Sequence, residues 1–268
     1  MTTRRLFLQF TTILPALGAA SAASPTAAQG GAPRNYVLVA GAWHGGWMWR
    51  KVANLLRAAG HQVFAVTNTG LGERHHLLRN DVTFDVFIDD IVNVIEWEEL
   101  RDVYLVGHSF SGRTVSAVAD RIPERLKRIV FLDAVLSQNG ESMLDTLPPA
   151  AREERVRSVR EVDGVKVVPP PEPAALGVTA PEDAAWLKRR LTPHPFSTYT
   201  SPLRLAHPLG NSVPCTYIHC VDPIFTAIGP SAAYAKSRAD WQNLEIRSGH
   251  DAMVISPGPL SEMLLALA

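Results

Sequence analysis

Val106-Gly107-His108-Ser109-Phe110-Ser111-Gly112 is the stretch on which the reading of this chain turns. It lies between an apolar run at residues 103–106 and a segment with helical spacing at 110–119, so a strand enters a sharp turn and leaves it as a helix. A serine at the tip of such a turn is held in a strained backbone with its hydroxyl exposed. The positions two before and two after it must be small to avoid a clash. Gly107 and Ser111 meet that need around Ser109. Ser111 does not itself qualify as the tip, because Arg113 would then fill the second small position. The pattern nominates Ser109 as a nucleophile.

Outward from this turn, strands and helices alternate. Residues 35–42 read as an apolar strand, 47–59 as a helix stopped by Gly60, and 62–66 as a second strand. Residues 67–80, rich in Gly, Asn, Thr and charge, read as a long loop over the sheet edge. Phe84, Phe87, Ile88, Ile91 and Ile95 share one helical face, which predicts an amphipathic helix over 83–99 with Thr83 placed to cap it. A strand at 128–133 follows. Strands that are apolar throughout, alternating with helices, predict an α/β fold with a mostly parallel sheet covered on both faces. The alternation breaks over 134–211, where Val168-Pro169-Pro170-Pro171, many charges and no clear strand mark an insertion. That segment is expected to form a cap of short helices, one around 182–191. A strand at 213–220, a helix at 231–237, a strand at 244–247 and a closing helix at 260–267 resume the pattern.

At 268 residues, 46% hydrophobic and 19% charged, the chain suits one large domain, here 31–268. Lys plus Arg equals Asp plus Glu at 26 each, so no net field draws nucleic acid or an anionic membrane, and a small, neutral to apolar molecule is the expected partner. Residues 1–30 read as a cleaved Tat-type export signal. Thr3-Arg4-Arg5-Leu6-Phe7-Leu8 has the twin-arginine form, and small residues follow at Ala20-Ser21-Ala22 and Ala27-Ala28. The apolar stretch between them is too short, and with Gln9, Thr11, Thr12 and Pro15 too polar, to span a bilayer. A periplasmic or secreted bacterial protein with no stable membrane anchor is therefore expected. Cys215 and Cys220 sit five apart on one strand, hence on opposite faces and roughly 16 Å apart, beyond disulfide reach.

A serine hydroxyl needs a base. His250, in Ser248-Gly249-His250-Asp251-Ala252-Met253, follows the last strand and can reach back over the sheet to Ser109; among nine histidines its position singles it out. Two carboxylates compete to orient it. Asp222, just past the strand ending at Cys220, is favoured because the acid usually lies beyond the cap, and Asp133, ending the strand before the insertion, is the alternative acid. Asp251 is expected to fix its own loop. A developing oxyanion needs donors in place beforehand, and the backbone N–H groups of Phe110 and of Ala42 in the turn Gly41-Ala42-Trp43 can supply them. His75-His76 with Glu73 lack a third spaced ligand, so no metal is expected there. Trp186, Phe196 and Tyr199 in the insertion are candidates to line the pocket.

Val37-Leu38-Val39-Ala40-Gly41-Ala42-Trp43-His44-Gly45-Gly46-Trp47, Thr69-Gly70-Leu71-Gly72-Glu73-Arg74, the Ser109 turn, Phe131-Leu132-Asp133-Ala134 and Gly249-His250-Asp251-Ala252-Met253 together resemble the bacterial branch of the α/β-hydrolase group containing plant methyl esterases and hydroxynitrile lyases. The resemblance covers nearly the whole chain after the export signal. It implies an α/β-hydrolase fold with a helical cap, no cofactor, a catalytic triad of Ser109, Asp222 and His250, and Ala42 and Phe110 as oxyanion donors. It also brings His44 close to the active site, where packing under the oxyanion turn is its other reading. Two departures matter. Ala40 replaces a His usual in relatives, and Tyr217-Ile218-His219-Cys220-Val221-Asp222 is one residue short before the Asp, which keeps Asp133 in play. The implied reaction is hydrolysis of a carboxylic ester through an acyl-enzyme. A hydroxynitrile-lyase-like reaction using the same triad as a base is the alternative, opposed by Asp251 where such lyases tend to carry Lys and by Gly41 where they carry a hydroxyl. A non-catalytic ligand-binding protein on the same scaffold is the third reading.

Overall fold

The computed structural model describes residues 32–267, so the export signal expected over 1–30 lies outside the described residues. Its elements run β1 (Asn35–Val39), α1 (Arg50–Ala58), β2 (Gln62–Val66), α2 (Phe84–Trp97), β3 (Val103–His108), α3 (Ser111–Arg121) and β4 (Leu126–Leu132). An excursion follows through α4 (Pro149–Ser158), β5 (Arg160–Val162), β6 (Val165–Val168), α5 (Pro181–Lys188), β7 (His194–Pro195) and α6 (Ser197–Thr200). The chain then closes with β8 (Cys215–Cys220), α7 (Gly229–Ser237), β9 (Gln242–Ile246), α8 (Ala252–Ile255) and α9 (Pro257–Ala266). The main sheet is six-stranded and parallel, in the order β2-β1-β3-β4-β8-β9.

Burial follows from that order. All six residues of β3 and four of five in β1 are buried, because each has strands on both sides and helices above and below, whereas the edge strands β2 and β9 are partly exposed. Right-handed crossovers then fix the layers. The step from β1 to β2 runs one way across the sheet and the step from β2 to β3 runs the other, so α1 and α2 cover opposite faces. Val52, Ala53 and Leu56 of α1 accordingly bury beside α9, while the apolar face of α2, Phe84 to Ile95, packs with α3. The reversal falls between β1 and β3, and the crevice that it opens at their carboxyl ends holds the turns after both strands.

The excursion differs from an all-helical cap. It contains a three-stranded antiparallel sheet, β5-β6-β7, whose first hairpin turns on Asp163 and Gly164, both at positive φ, with Val162 opposite Val165. An Asp-Gly pair is the residue choice that such a two-residue turn demands, but β5 is short and exposed and shows no apolar alternation. The helix expected around 182–191 is α5. Thr83 occupies the N-cap of α2, yet its side chain makes no capping hydrogen bond. Cys215 and Cys220 are free and buried, and burial pushes the Cys215 thiol up to about 12.

The first turn of α3 passes very close to the chain leaving β4: a Cβ on Gly112 would lie 2.3 Å from the Val135 carbonyl oxygen. Gly112→Ala is therefore expected to destabilise the fold by about 1–3 kcal/mol, the usual cost of overpacking, measured by urea unfolding.

Candidate active site

Ser109 sits where β3 becomes α3, at φ 53, in the left-handed region that few non-glycine residues adopt. Its surroundings hold it there. Its N–H donates to the Leu132 carbonyl at 3.2 Å and its carbonyl accepts from Val135 N–H at 2.9 Å. A Cβ on Gly107 would meet the Val115 side chain at 2.7 Å and the Ser111 carbonyl at 2.8 Å, so the position two before the serine has no room for a side chain. The Ser111 hydroxyl turns away and donates to the Ala40 carbonyl, tying the elbow to the turn after β1. Ser109 is left half-buried with its hydroxyl at the floor of a pocket.

His250, on the loop after β9, brings Nε2 to 2.9 Å from Ser109 Oγ, and its Nδ1 lies 2.6 Å from Oδ2 of Asp133. A carboxylate can only accept, so Nδ1 carries the proton and Nε2 presents its lone pair to the serine hydroxyl. Asp133 is fully buried, at φ 42, and its second oxygen accepts the Cys220 N–H at 3.1 Å. This corrects the assignment of Asp222 as the orienting acid. The Asp222 side chain is 64% exposed, and its nearest charged partner is Arg247 at 3.8 Å. The cause lies in the strand ends. After Cys220 the Val221 and Asp222 N–H groups donate to the Ile246 and Ser248 carbonyls, which draws that segment toward the edge strand, whereas Asp133 leaves β4, the immediate neighbour of β3.

Ala42 and Phe110 line the same pocket as Ser109, and among the described residues neither backbone N–H has an acceptor. Beneath them lies a set of buried imidazoles. His108 donates Nε2–H to the His250 carbonyl at 3.0 Å, and its ring centre is 4.6 Å from that of His250. Burial, reinforced by His250, drives its basicity well below the usual range, so it is neutral and adds no like charge beside the base. His44 lies between the Ala42 carbonyl and Asp251, and His194, from β7, accepts the Trp43 N–H at 3.2 Å. Burial, with Arg155 second, pushes His194 down to about 3. Asp251 is thus joined through His44 to the Gly41-Ala42-Trp43 turn, while its own N–H and carbonyl tie its loop to Leu176 and Val254.

The polar atoms of His108, His250 and Asp251 come close enough to one another to suggest a metal site. Both His250 nitrogens are already engaged in the hydrogen bonds above, which leaves only His108 Nδ1 and Asp251 Oδ1 of this group without a partner, too few to hold a metal. His75 and His76 are exposed, and the Glu73 carboxylate accepts from Thr67. Of the three aromatic candidates in the insertion, Tyr199 lines the pocket; Trp186 packs instead on Trp47. The rest of the lining is apolar, including Val135, Met143, Leu147 and Ile228, with Phe225 lying against the His250 ring. Arg155 of α4 is its charged member, set over the Trp43 and Tyr199 rings at 5.2 and 5.8 Å. Neither Phe225 nor Arg155 carries a local signal in sequence, because each arrives from a separate loop or helix of the chain.

Comparison with known proteins gives the family. A model of the alpha/beta hydrolase family matches residues 36–262. The chain is 38% identical over 248 residues to a carbendazim hydrolyzing esterase of Nocardioides, a match spanning 87% of this chain and 99% of the relative. It is 36% identical over 103 residues to an alpha-hydroxynitrile lyase of Arabidopsis thaliana, covering 38% of this chain and 40% of the lyase. Among solved structures, an extracellular alpha/beta-hydrolase from a Paenibacillus species, described as homologous to tobacco salicylic acid binding protein 2, superposes with a TM-score of 0.76 at 24% identity, covering 87% of this chain and 98% of the other.

The His194 environment has a thermodynamic consequence. The unfolded chain protonates this residue below its ordinary 6.5, while the folded protein holds it neutral down to about 3. Its contribution to stability is whole above pH 6.5 and falls as the pH drops from there toward 3, with a limiting slope of about 1.4 kcal/mol per pH unit. His194→Asn is expected to flatten the dependence of unfolding free energy on pH between 6.5 and 4.5, as read by urea denaturation.

Proposed function

We propose that this chain, which belongs to the alpha/beta hydrolase family and is an esterase-type hydrolase, cleaves a small, mainly apolar carboxylic ester through an acyl-enzyme on Ser109. The observation that carries this reading is the unbroken path from Ser109 Oγ to His250 at 2.9 Å and from His250 to Asp133 at 2.6 Å, opening on an apolar pocket. Ser109 Oγ adds to the ester carbonyl carbon while its proton passes to His250 Nε2. Asp133 stabilises the imidazolium that results, and the Ala42 and Phe110 N–H groups receive the oxyanion. The tetrahedral adduct collapses with release of the alcohol, which takes the proton from Nε2. Water then gives a proton to the same nitrogen as it attacks the acyl carbon, and the carboxylic acid leaves with Ser109 restored. Every step uses protein groups and water.

The lining narrows the substrate. Apolar side chains favour a compact acyl or alcohol part, and the Arg155 guanidinium over Trp43 and Tyr199 favours one bearing an aromatic face or a hydrogen-bond acceptor. A lyase reading finds less support, since the residue after His250 is an aspartate buried against His44 rather than a cation facing the pocket. The Arg4-Arg5 pattern supports a periplasmic or secreted site of action.

Turnover on p-nitrophenyl and methyl esters of graded size tests the assignment. Ser109→Ala is expected to abolish it, and Asp133→Asn to lower kcat by about 10³–10⁴-fold, as loss of the orienting acid does in such triads, while Asp222→Asn leaves kcat within about threefold. The reverse ranking of the two aspartates would reassign the acid.

A further inference from the structure

The peptide group that joins Ala42 to Trp43 is gripped from both sides by histidines, one the next residue along the chain and the other delivered by the insertion. Its carbonyl accepts Nδ1–H of His44 at 2.7 Å, and its N–H donates to Nδ1 of His194 at 3.2 Å. The same ring atom must therefore carry a proton in His44 and a lone pair in His194. A second partner meets each demand. Nε2 of His44 lies 3.1 Å from Oδ2 of Asp251. Burial pushes that carboxyl up, but His44, then His108 and His250, together hold it below its ordinary range. A carboxylate only accepts, so Nε2–H of His44 donates to Asp251 while Nδ1–H donates to the Ala42 carbonyl. Nε2 of His194 lies 2.8 Å from Thr198 Oγ1, whose own proton goes to the Pro195 carbonyl at 2.8 Å. The single proton of a neutral His194 is thereby committed to Nε2, and Nδ1 is free to accept.

This doubly held peptide adjoins the one that carries the Ala42 N–H. Trp43 is at φ 67, a conformation that a bulky residue keeps only when its neighbours impose it, and the insertion adds further ties through Trp43 Nε1–H to the Val168 carbonyl and Thr192 N–H to the Trp43 carbonyl. We propose that His44 and His194 are positioning residues that lock the Ala42–Trp43 peptide and so aim the Ala42 N–H at the oxyanion of the reacting ester, with Asp251 keeping His44 a donor. This rests on the acyl-transfer reading above, and it gives the insertion a part in catalysis beyond shaping the pocket.

The test exploits side-chain geometry: the amide of Asn falls near imidazole Nδ1, and that of Gln near Nε2. His44→Asn keeps a donor for the Ala42 carbonyl, whereas His44→Gln moves it away. Since removal of a whole oxyanion donor costs about 10²–10³ in kcat, His44→Gln is expected to lower kcat by about 10–100-fold with KM changed by less than about threefold, and His44→Asn to recover most of the loss. His194→Asn and His194→Gln repeat the comparison on the other side of the peptide, and carry the test if His44→Gln does not fold. In the Gln variants the preference for an ester over its thionoester is expected to shrink by a similar factor, because the misaimed donor no longer favours oxygen over the larger, weakly accepting sulfur. Folded Asn and Gln variants with equal kcat, a loss confined to KM, or an unchanged ester to thionoester ratio would overturn the clamp. A fluorophosphonate probe separates the two levels: wild-type protein left unlabelled at Ser109 overturns the acyl-transfer reading itself, whereas labelled wild type with indifferent variants overturns the clamp alone.

Discussion

The 2.6 Å hydrogen bond between His250 Nδ1 and the buried Asp133 carboxylate is the interaction on which the site depends. It sets the tautomer that leaves Nε2 basic toward Ser109, and it joins the end of β4 to the loop after β9, two segments 117 residues apart. A carboxylate with no exposure is costly unless its oxygens are satisfied, and here one takes His250 and the other the Cys220 N–H. The sheet provides for this directly. β3 and β4 are adjacent and parallel, so their carboxyl ends deliver serine and acid side by side, and the loop after β9 has only to bring the imidazole between them.

Charge is distributed under the site with economy. Among the described residues the interior holds two aspartates, Asp133 and Asp251, each against an imidazole, while His108 and His194 are kept neutral by burial. Neutral His108 matters because a second cation 4.6 Å from the His250 ring would oppose the imidazolium of the proposed acyl transfer. The Gly41-Ala42-Trp43 turn is likewise held by imidazoles of opposite hydrogen-bonding character, His44 donating from within the turn with Asp251 of the loop after β9 behind it, and His194 accepting from the insertion. The insertion therefore meets the backbone of this turn as well as supplying part of the apolar lining.

Much of this was legible in the residues. Small positions around Ser109, continuous apolar runs for buried parallel strands, and a histidine after the last strand each express a local steric or periodic rule, and the structure brings Ser109 and His250 into contact. The acid was less legible because two aspartates end strands at the same sheet edge, and which one faces the histidine depends on how the chain bends after Cys220. That bend is set by hydrogen bonds to Ile246 and Ser248, contacts with no counterpart in local sequence. The β5–β6 hairpin had its Asp163-Gly164 turn signal, but its exposed three-residue first strand lacks the alternation that identifies a strand. His194, Arg155 and Phe225 reach the site from distant segments, and only tertiary packing gives them a role.

The central claim is that Asp133, and not Asp222, holds the proton-bearing side of His250. Proton NMR of the protein at low temperature reads it directly, since a hydrogen bond as short and buried as His250 Nδ1–H to Asp133 shields its proton from exchange and shifts it far downfield of ordinary amides. This resonance is expected in the wild type and in Asp222→Asn, and its loss in Asp133→Asn; a signal that survives in Asp133→Asn or vanishes in Asp222→Asn would contradict the role of Asp133.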